Sequence, residues 1–179
     1  MSYNPTYALI LFFITVAVIF VLFRPIKGWF WIVKNNFKSN EKVVIEDILK
    51  QLYHFENSGN KMDTKALVQV LKFNNNQIIE VIKKMTINDL IYFDSDVLKL
   101  TDSGRDYALR IVRIHRLWER YLADKTGFNK EEWHQRAEMM EHKLNYHETN
   151  TLAARLGNPK FDPHGDPIPT KTGKIAQVN

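Results

Sequence analysis

The stretch "LIYFDSDVLKLT", Leu90 to Thr101, decides the fold. Two short runs of apolar and aromatic residues flank the polar Asp94-Ser95-Asp96, the pattern of two strands joined by a tight turn. Everything before it reads as helix. "EKVVIEDILKQLYHFE", Glu41 to Glu56, places apolar residues at Val44, Ile45, Ile48, Leu49, Leu52 and Tyr53, a 3.6-residue period, and "NSGNK" ends it with turn residues. "MDTKALVQVLKF" and "NNQIIEVIKKMTIND" read as two shorter helices, the first with Asp63 or Thr64 as N-cap, joined by a turn at Asn74 to Asn76. Three helices followed by a hairpin is the order of a winged helix-turn-helix, a DNA-binding arrangement.

Beyond the hairpin, "TDSGRDYALRIVRIHRLWERYLADKTG" starts on a capping residue and reads as a helix of about 20 residues stopped at Gly127. It carries His115 and Glu119 at i, i+4. Next comes "EEWHQRAEMMEHKL", Glu131 to Leu144, with His134, Glu138, Glu141 and His142 at i, i+4, i+7 and i+8. At 100° per residue these fall at about 0°, 40°, −20° and 80°, so one face holds two imidazoles and two carboxylates. "NYHETNTLAARLG" reads as one more helix. The end, "NPKFDPHGDPIPTKTGKIAQVN", carries too much proline and glycine for a regular element.

The chain of 179 residues is 45% hydrophobic and 25% charged, a globular composition. It has no cysteine, which excludes disulfides, thiolate zinc sites and a Cys nucleophile. Metal chemistry must then use imidazole and carboxylate, which points to manganese, ferrous iron or zinc. Carboxylates and histidines crowded on one face repel one another, and a divalent cation relieves that repulsion. The competing reading is a solvated face, with salt bridges from Glu138, Glu141 and His142 to Arg136 or Lys143. His54, His147 and His164 fit no set and read as surface or capping residues. Met139, Met140, Trp118, Trp133, Ile111 and Leu122 read as core or subunit interface.

The N-terminus differs from the rest. "YALILFFITVAVIFVLF", Tyr7 to Phe23, is an uncharged run that approaches the roughly 20 residues of a membrane span. It is followed by Arg24, Lys27, Lys34 and Lys38, with Trp29 and Trp31 among them, as at a cytoplasmic membrane interface. These four are the only basic residues before residue 41, where no acidic residue occurs, so they account for most of the net charge of +5. The expectation is a single-pass protein of the cell inner membrane, its soluble part cytoplasmic.

The motifs "LTDSGRDYALRIVRIHRLWERYL", "EEWHQRAEMMEHKL" and "FDPHGDPIP", in this order behind a winged helix, resemble the metal-dependent repressors typified by the diphtheria toxin repressor and the manganese transport regulator. The resemblance covers about Glu41 to Pro169. It implies a primary metal site of Asp47, Glu138, Glu141 and His142 and an ancillary one of His115, Glu119 and His134. It implies Mn²⁺ or Fe²⁺ as the ion, with Zn²⁺ also able to bind, and the carboxylates at Asp47 and Glu138 resemble the manganese-responsive branch. That branch also resembles a Glu where Lys50 stands here.

The resemblance further implies a homodimer, operator DNA as partner, and a recognition helix presenting Asn76, Gln77, Glu80, Lys83 and Lys84. So few cations leave little counterion release for binding. The implied mechanism is allosteric and not enzymatic, since a filled coordination shell leaves no open position for an activated water. The segment "NPTYALILFFITVAVIFVLFRPIKG" resembles the last transmembrane helix of permease subunits of manganese, iron and zinc ABC importers. It implies an alternative role, a metal-sensing domain fused to or split from such a permease.

The expected fold is therefore mainly α. Residues 1–40 form a transmembrane helix and basic juxtamembrane segment, 41–102 a winged helix-turn-helix domain, 103–160 an all-helical metal-binding and dimerisation domain, and 161–179 a tail.

Overall fold

A computed structural model describes the backbone of residues 5–23, 29–71 and 73–175 and the side chains of residues 6–20, 40–71 and 73–175. The chain divides into two compact units, Met1–Lys42 and Val43–Asn179. The first contains α1 (Pro5–Phe23) and the start of α2 (Trp29–Asn57). The apolar run does fold as a helix, but the expected membrane span is not upheld. Among the described residues no helix is long and apolar enough to cross a membrane. Placement of the chain as a single-pass inner-membrane protein with a cytoplasmic domain is corrected accordingly. The basic and tryptophan side chains from Arg24 to Lys38 lie outside the described residues.

The second unit follows the expected order: the rest of α2, then α3 (Thr64–Val70), α4 (Asn75–Ile87), β1 (Ile91–Asp94), β2 (Val97–Leu100), α5 (Asp102–Lys125), α6 (Lys130–Glu141) and α7 (Tyr146–Arg155). It is mainly helical with one small sheet. Local chemistry sets each boundary. The Asp63 carboxylate accepts from Ala66 N and caps α3, the Asn74 side chain accepts from Asn76 N at the start of α4, and Thr101 accepts from Gly104 N at the start of α5. The strands pair antiparallel from Ile91 opposite Leu100 to Asp94 opposite Val97, with Ser95 in the turn at φ 58°. α5 ends at Lys125 with Thr126 as its C-cap, immediately before the expected stop at Gly127, and the Thr126 hydroxyl donates to Leu122 O.

One core unites α2, α3, α4, the hairpin and the first half of α5. It includes Val44, Ile48, Leu49, Leu52, Leu67, Ile78, Leu98 and Ile111, none more than 1% exposed. Gly104 is where α5 meets the hairpin, and a Cβ there would sit 1.9 Å from Leu90 O, so only glycine fits. Glu56 ties the same corner: its Oε1 accepts from Leu100 N at 2.8 Å and its Oε2 pairs with Arg105. A second, smaller cluster of Leu117, Ala153 and Ile168 joins α5, α7 and the tail. Met139, expected in the core, is 54% exposed.

Candidate metal centre

The stripe that faces α2 toward the winged-helix core leaves Glu46, Asp47 and Lys50 on the opposite side of the helix. That side is covered as well, so Glu46 and Lys50 are only 4% and 8% exposed. A second face is thereby turned to α5 and α6. His115 and Glu119 reach inward from α5, one turn apart. α6 contributes His134, Glu138 and Glu141, and His142 follows as its C-cap.

Two groups of donor atoms form, each within 4.8 Å: Asp47, Glu141 and His142, and His115, Glu119 and His134. In the first, His142 Nδ1 lies 2.7 Å from Glu46 Oε2, and His142 Nε2 lies 3.3 Å from Asp47 Oδ1 and 3.6 Å from Glu141 Oε1. In the second, His115 Nε2 and His134 Nδ1 each lie 3.2 Å from Glu119 Oε1 and 3.1 Å from each other. The face read as one on the sequence is thus divided, with Glu141 and His142 turned toward α2 and His134 toward α5.

Glu138 falls outside both groups: its Oε1 lies 3.4 Å from His134 Nε2 and 3.7 Å from Lys50 Nζ. Of the salt bridges weighed against metal binding, Arg136 pairs instead with Glu132 at 3.0 Å, while Glu138 and Glu141 pair with Lys50 of α2.

Glu141 joins the two groups. Its side chain is fully buried, with Oε2 2.6 Å from His115 Nδ1 and Oε1 accepting from Lys50 Nζ at 2.5 Å. Burial opposes ionisation of this carboxylate, yet the His115 and Lys50 contacts outweigh it and hold its pKa below the usual value. Glu119 is likewise lowered, burial being outweighed by His115 and His134. Burial disfavours the charged form of both inner histidines, but the carboxylates around them prevail. His115 is raised by Glu119 and Glu141, and His142 is raised to about 9 by Asp47, Glu46 and Glu141. In the metal-free chain, protons and the Lys50 ammonium thus neutralise the carboxylates.

Sequence reasoning missed four participants. Glu46 accepts from the Tyr107 hydroxyl at 2.8 Å and contacts His142, and Lys50 reaches Glu141. Their signal was present as charge on the helix face opposite the apolar stripe, but charge there ordinarily means solvent. Asp162 and His164 sit in the tail, where no periodicity exists. The Asp162 carboxylate, 4% exposed in residue terms, accepts from the backbone N–H groups of His164 and Asp166. His164 Nε2 lies 3.8 Å from Glu119 Oε1, which brings a residue read as peripheral to the second group.

Asn76, Glu80, Lys83 and Lys84 lie on the exposed face of α4, and Gln77 is half-buried beside them.

The donors match a hard or borderline divalent cation: carboxylate oxygens and imidazole nitrogens, partly buried and converging from three helices. Residues 101–170 match the model of the iron dependent repressor, metal binding and dimerisation domain. This chain belongs to the metal-dependent repressor family of the diphtheria toxin repressor and manganese transport regulator type. It is 31% identical over 125 residues to the iron-dependent repressor IdeR of Mycobacterium bovis, a match covering 69% of this chain and 54% of IdeR. It is similar to a solved manganese-dependent transcriptional repressor complex with manganese, with TM-score 0.68 and 35% identity over 75% of this chain and 62% of that one. A probable metal transport system membrane protein of Chlamydia trachomatis is 48% identical over 75 residues, 42% of this chain and 17% of that protein. The chain spans about half the length of IdeR and a smaller part of the transport protein.

Proposed function

We propose that the chain is a metal-responsive transcriptional regulator that binds DNA as a homodimer and is not an enzyme. Asp47, Glu141 and His142 hold a primary Mn²⁺ or Fe²⁺, a set that Glu138 completes by turning from His134 and Lys50, and His115, Glu119 and His134 hold an ancillary ion that can be Zn²⁺. The observation that carries this reading is Glu141, buried between the two groups and tied to α2 through Lys50. The ion supplies concentrated positive charge in place of the His protons. Asp47 and Glu46 on α2 then face the same charge as Glu141 and His142 of α6. Anything that strengthens or loosens that link alters how the winged helix is held on α5 and α6. Metal thereby selects one arrangement of the reading heads to the extent that it binds that arrangement more tightly.

The oxygen-rich primary set supports Mn²⁺ or Fe²⁺, because carboxylates suit hard ions. The structural relative solved in complex with manganese agrees with this choice. The test is a mobility shift of a DNA fragment from upstream of the chain's own coding sequence, expected with Mn²⁺ or Fe²⁺ and absent with chelator. No shift at low salt with saturating metal refutes DNA binding.

A second reading has one observation in its favour, the 48% identity to the Chlamydia trachomatis transport protein. In it the chain is the metal-sensing part of a manganese, iron or zinc importer and acts on the permease. Metal binding at Asp47, Glu141 and His142 without any DNA shift favours this role.

A further inference from the structure

Four of the arginines on α5 are paired: Arg105 with Glu56, Arg110 with Asp106 O, Arg116 with Pro167 O and Arg120 with Asp124. Arg113 has no hydrogen bond or ion pair among the described residues, although it is only 8% exposed. A guanidinium stays charged, so burying one without a counter-charge is costly. Two residues before His115, it projects about 200° round the helix from that metal donor, onto the flank covered by α7 and the tail. Leu117, one turn further along the same flank, packs with Ala153 and Ile168. A cation thus stands where the stripe calls for an apolar residue.

What meets this charge is a cavity of about 490 Å³ between α5, α7 and the segment that follows α7. Arg113, Lys160 and Lys171 line it together with Asn150, Asn158 and Tyr146, and no described acidic side chain does. The segment is pinned by its own backbone. Ile168 N donates to Lys160 O and Thr170 N to Lys174 O, both at 2.8 Å, and Lys174 N donates to the Thr170 hydroxyl at 3.1 Å. Lys160 and Lys171 are therefore held at the cavity, with exposed side chains.

We propose that this cavity binds a phosphate group, free or as the monoester of a small organic molecule, with Arg113 as its anchor. Three cations match the charge of about −1.5 to −2 on a phosphate monoester better than the single charge of a carboxylate. The donor fork of a guanidinium also fits phosphate oxygens two at a time. The cavity lies within the range of about 300–1,000 Å³ typical of small-molecule sites. The Asn150 and Asn158 amides and the half-exposed ring of Tyr146 are at hand for the rest of an organic ligand. The site shares no residue with the two metal-donor groups, so it stands or falls separately from them.

The test titrates the chelator-treated full chain by calorimetry with inorganic phosphate, adenosine monophosphate and adenosine, at an ionic strength fixed by chloride. Saturable binding of phosphate or of adenosine monophosphate is expected, and none of adenosine. Arg113→Met keeps an apolar stem for the stripe and should lower the affinity about tenfold or more, the weight of hydrogen bonds to a charged group. Lys160→Ala/Lys171→Ala alters two exposed side chains and should lower it about two- to tenfold. Arg155→Ala, at an exposed arginine of α7 outside the cavity, should leave it unchanged.

Tighter binding of adenosine monophosphate than of phosphate supports an organic phosphate as the ligand, and equal or weaker binding supports the free ion. No saturable binding of either probe, adenosine binding as tightly as its monophosphate, or unchanged affinity in folded Arg113→Met overturns the proposal. Should Arg113→Met fail to fold by circular dichroism, the double lysine variant decides, and unchanged affinity there overturns it. If that variant loses affinity only for the DNA fragment, the cavity rim meets DNA phosphates and the proposal falls.

Discussion

Replacing Glu141 by Gln in the metal-free chain removes one charge at nearly constant volume, at the point where the two donor groups meet. The Lys50 Nζ contact at 2.5 Å involves side chains 10% and 0% exposed, so the ammonium is left largely dehydrated. Removing one partner of such a pair costs about 3–5 kcal/mol, because the remaining charge is uncompensated. Glu138 Oε1, 3.7 Å away and 48% exposed, offers partial compensation, which places the expected loss near the lower end, about 3 kcal/mol. For a chain of this size that corresponds to a fall in Tm of about 6–12 °C.

Lys50→Met alone should cost less, since Glu141 keeps His115 and His142 as partners. The double variant Lys50→Met/Glu141→Gln should recover part of the loss and give a coupling of about 1–3 kcal/mol. Chelator-treated protein at pH 7, unfolded by urea and by heat, supplies the cycle. A Glu141→Gln variant within about 0.5 kcal/mol of the parent, the range of an ordinary surface change, would show that Lys50 and Glu141 do not form the buried link described.

Stability of the metal-free chain should also depend on pH. The folded-state pKa of His142 is raised to about 9, above its ordinary 6.5, so its contribution is complete below about pH 6.5 and disappears as pH rises through about 9. Urea midpoints that rise over this interval contradict the sign. Binding of Mn²⁺ must displace the same protons, so calorimetry in buffers of different ionisation enthalpy should show proton release at pH 7 and apparent affinity that grows with pH. Gly104→Ala should destabilise by about 3 kcal/mol or more, as measured by urea unfolding, since the added methyl has Leu90 O at 1.9 Å. Glu80→Lys, on the exposed face of α4, should strengthen binding to the DNA fragment at low salt and steepen the dependence of log K on log salt by about 0.9. An unchanged slope means that this face does not meet phosphates.

The parts legible in the sequence were those with a period. Two short apolar runs around Asp94-Ser95-Asp96 pointed to the hairpin, Asp63 and Thr101 to helix starts, the Asn74 to Asn76 turn to the break before α4, and the i, i+4 spacing put His115 with Glu119. Burial from a second side has no such signature. Glu46 and Lys50 occupy the helix face that periodicity assigns to water, and only the packing of α5 and α6 reveals that it is covered. His164 was hidden for a different reason: it lies in a loop whose path is set by Asp162 and Arg116, residues far apart in the chain. The apolar N-terminal run had the composition of a span, yet among the described residues no helix is long and apolar enough to cross a membrane.

The most direct test of the central claim is a calorimetric titration of the metal-free full chain with Mn²⁺ and with Zn²⁺, repeated on His142→Ala, His134→Ala and Glu141→Ala. Two saturable sites are expected, one lost with His142, the other lost with His134, and both weakened with Glu141, while circular dichroism shows the fold retained. The absence of saturable binding in the parent, or full retention of both sites in all three variants, would contradict a metal centre built on Glu141.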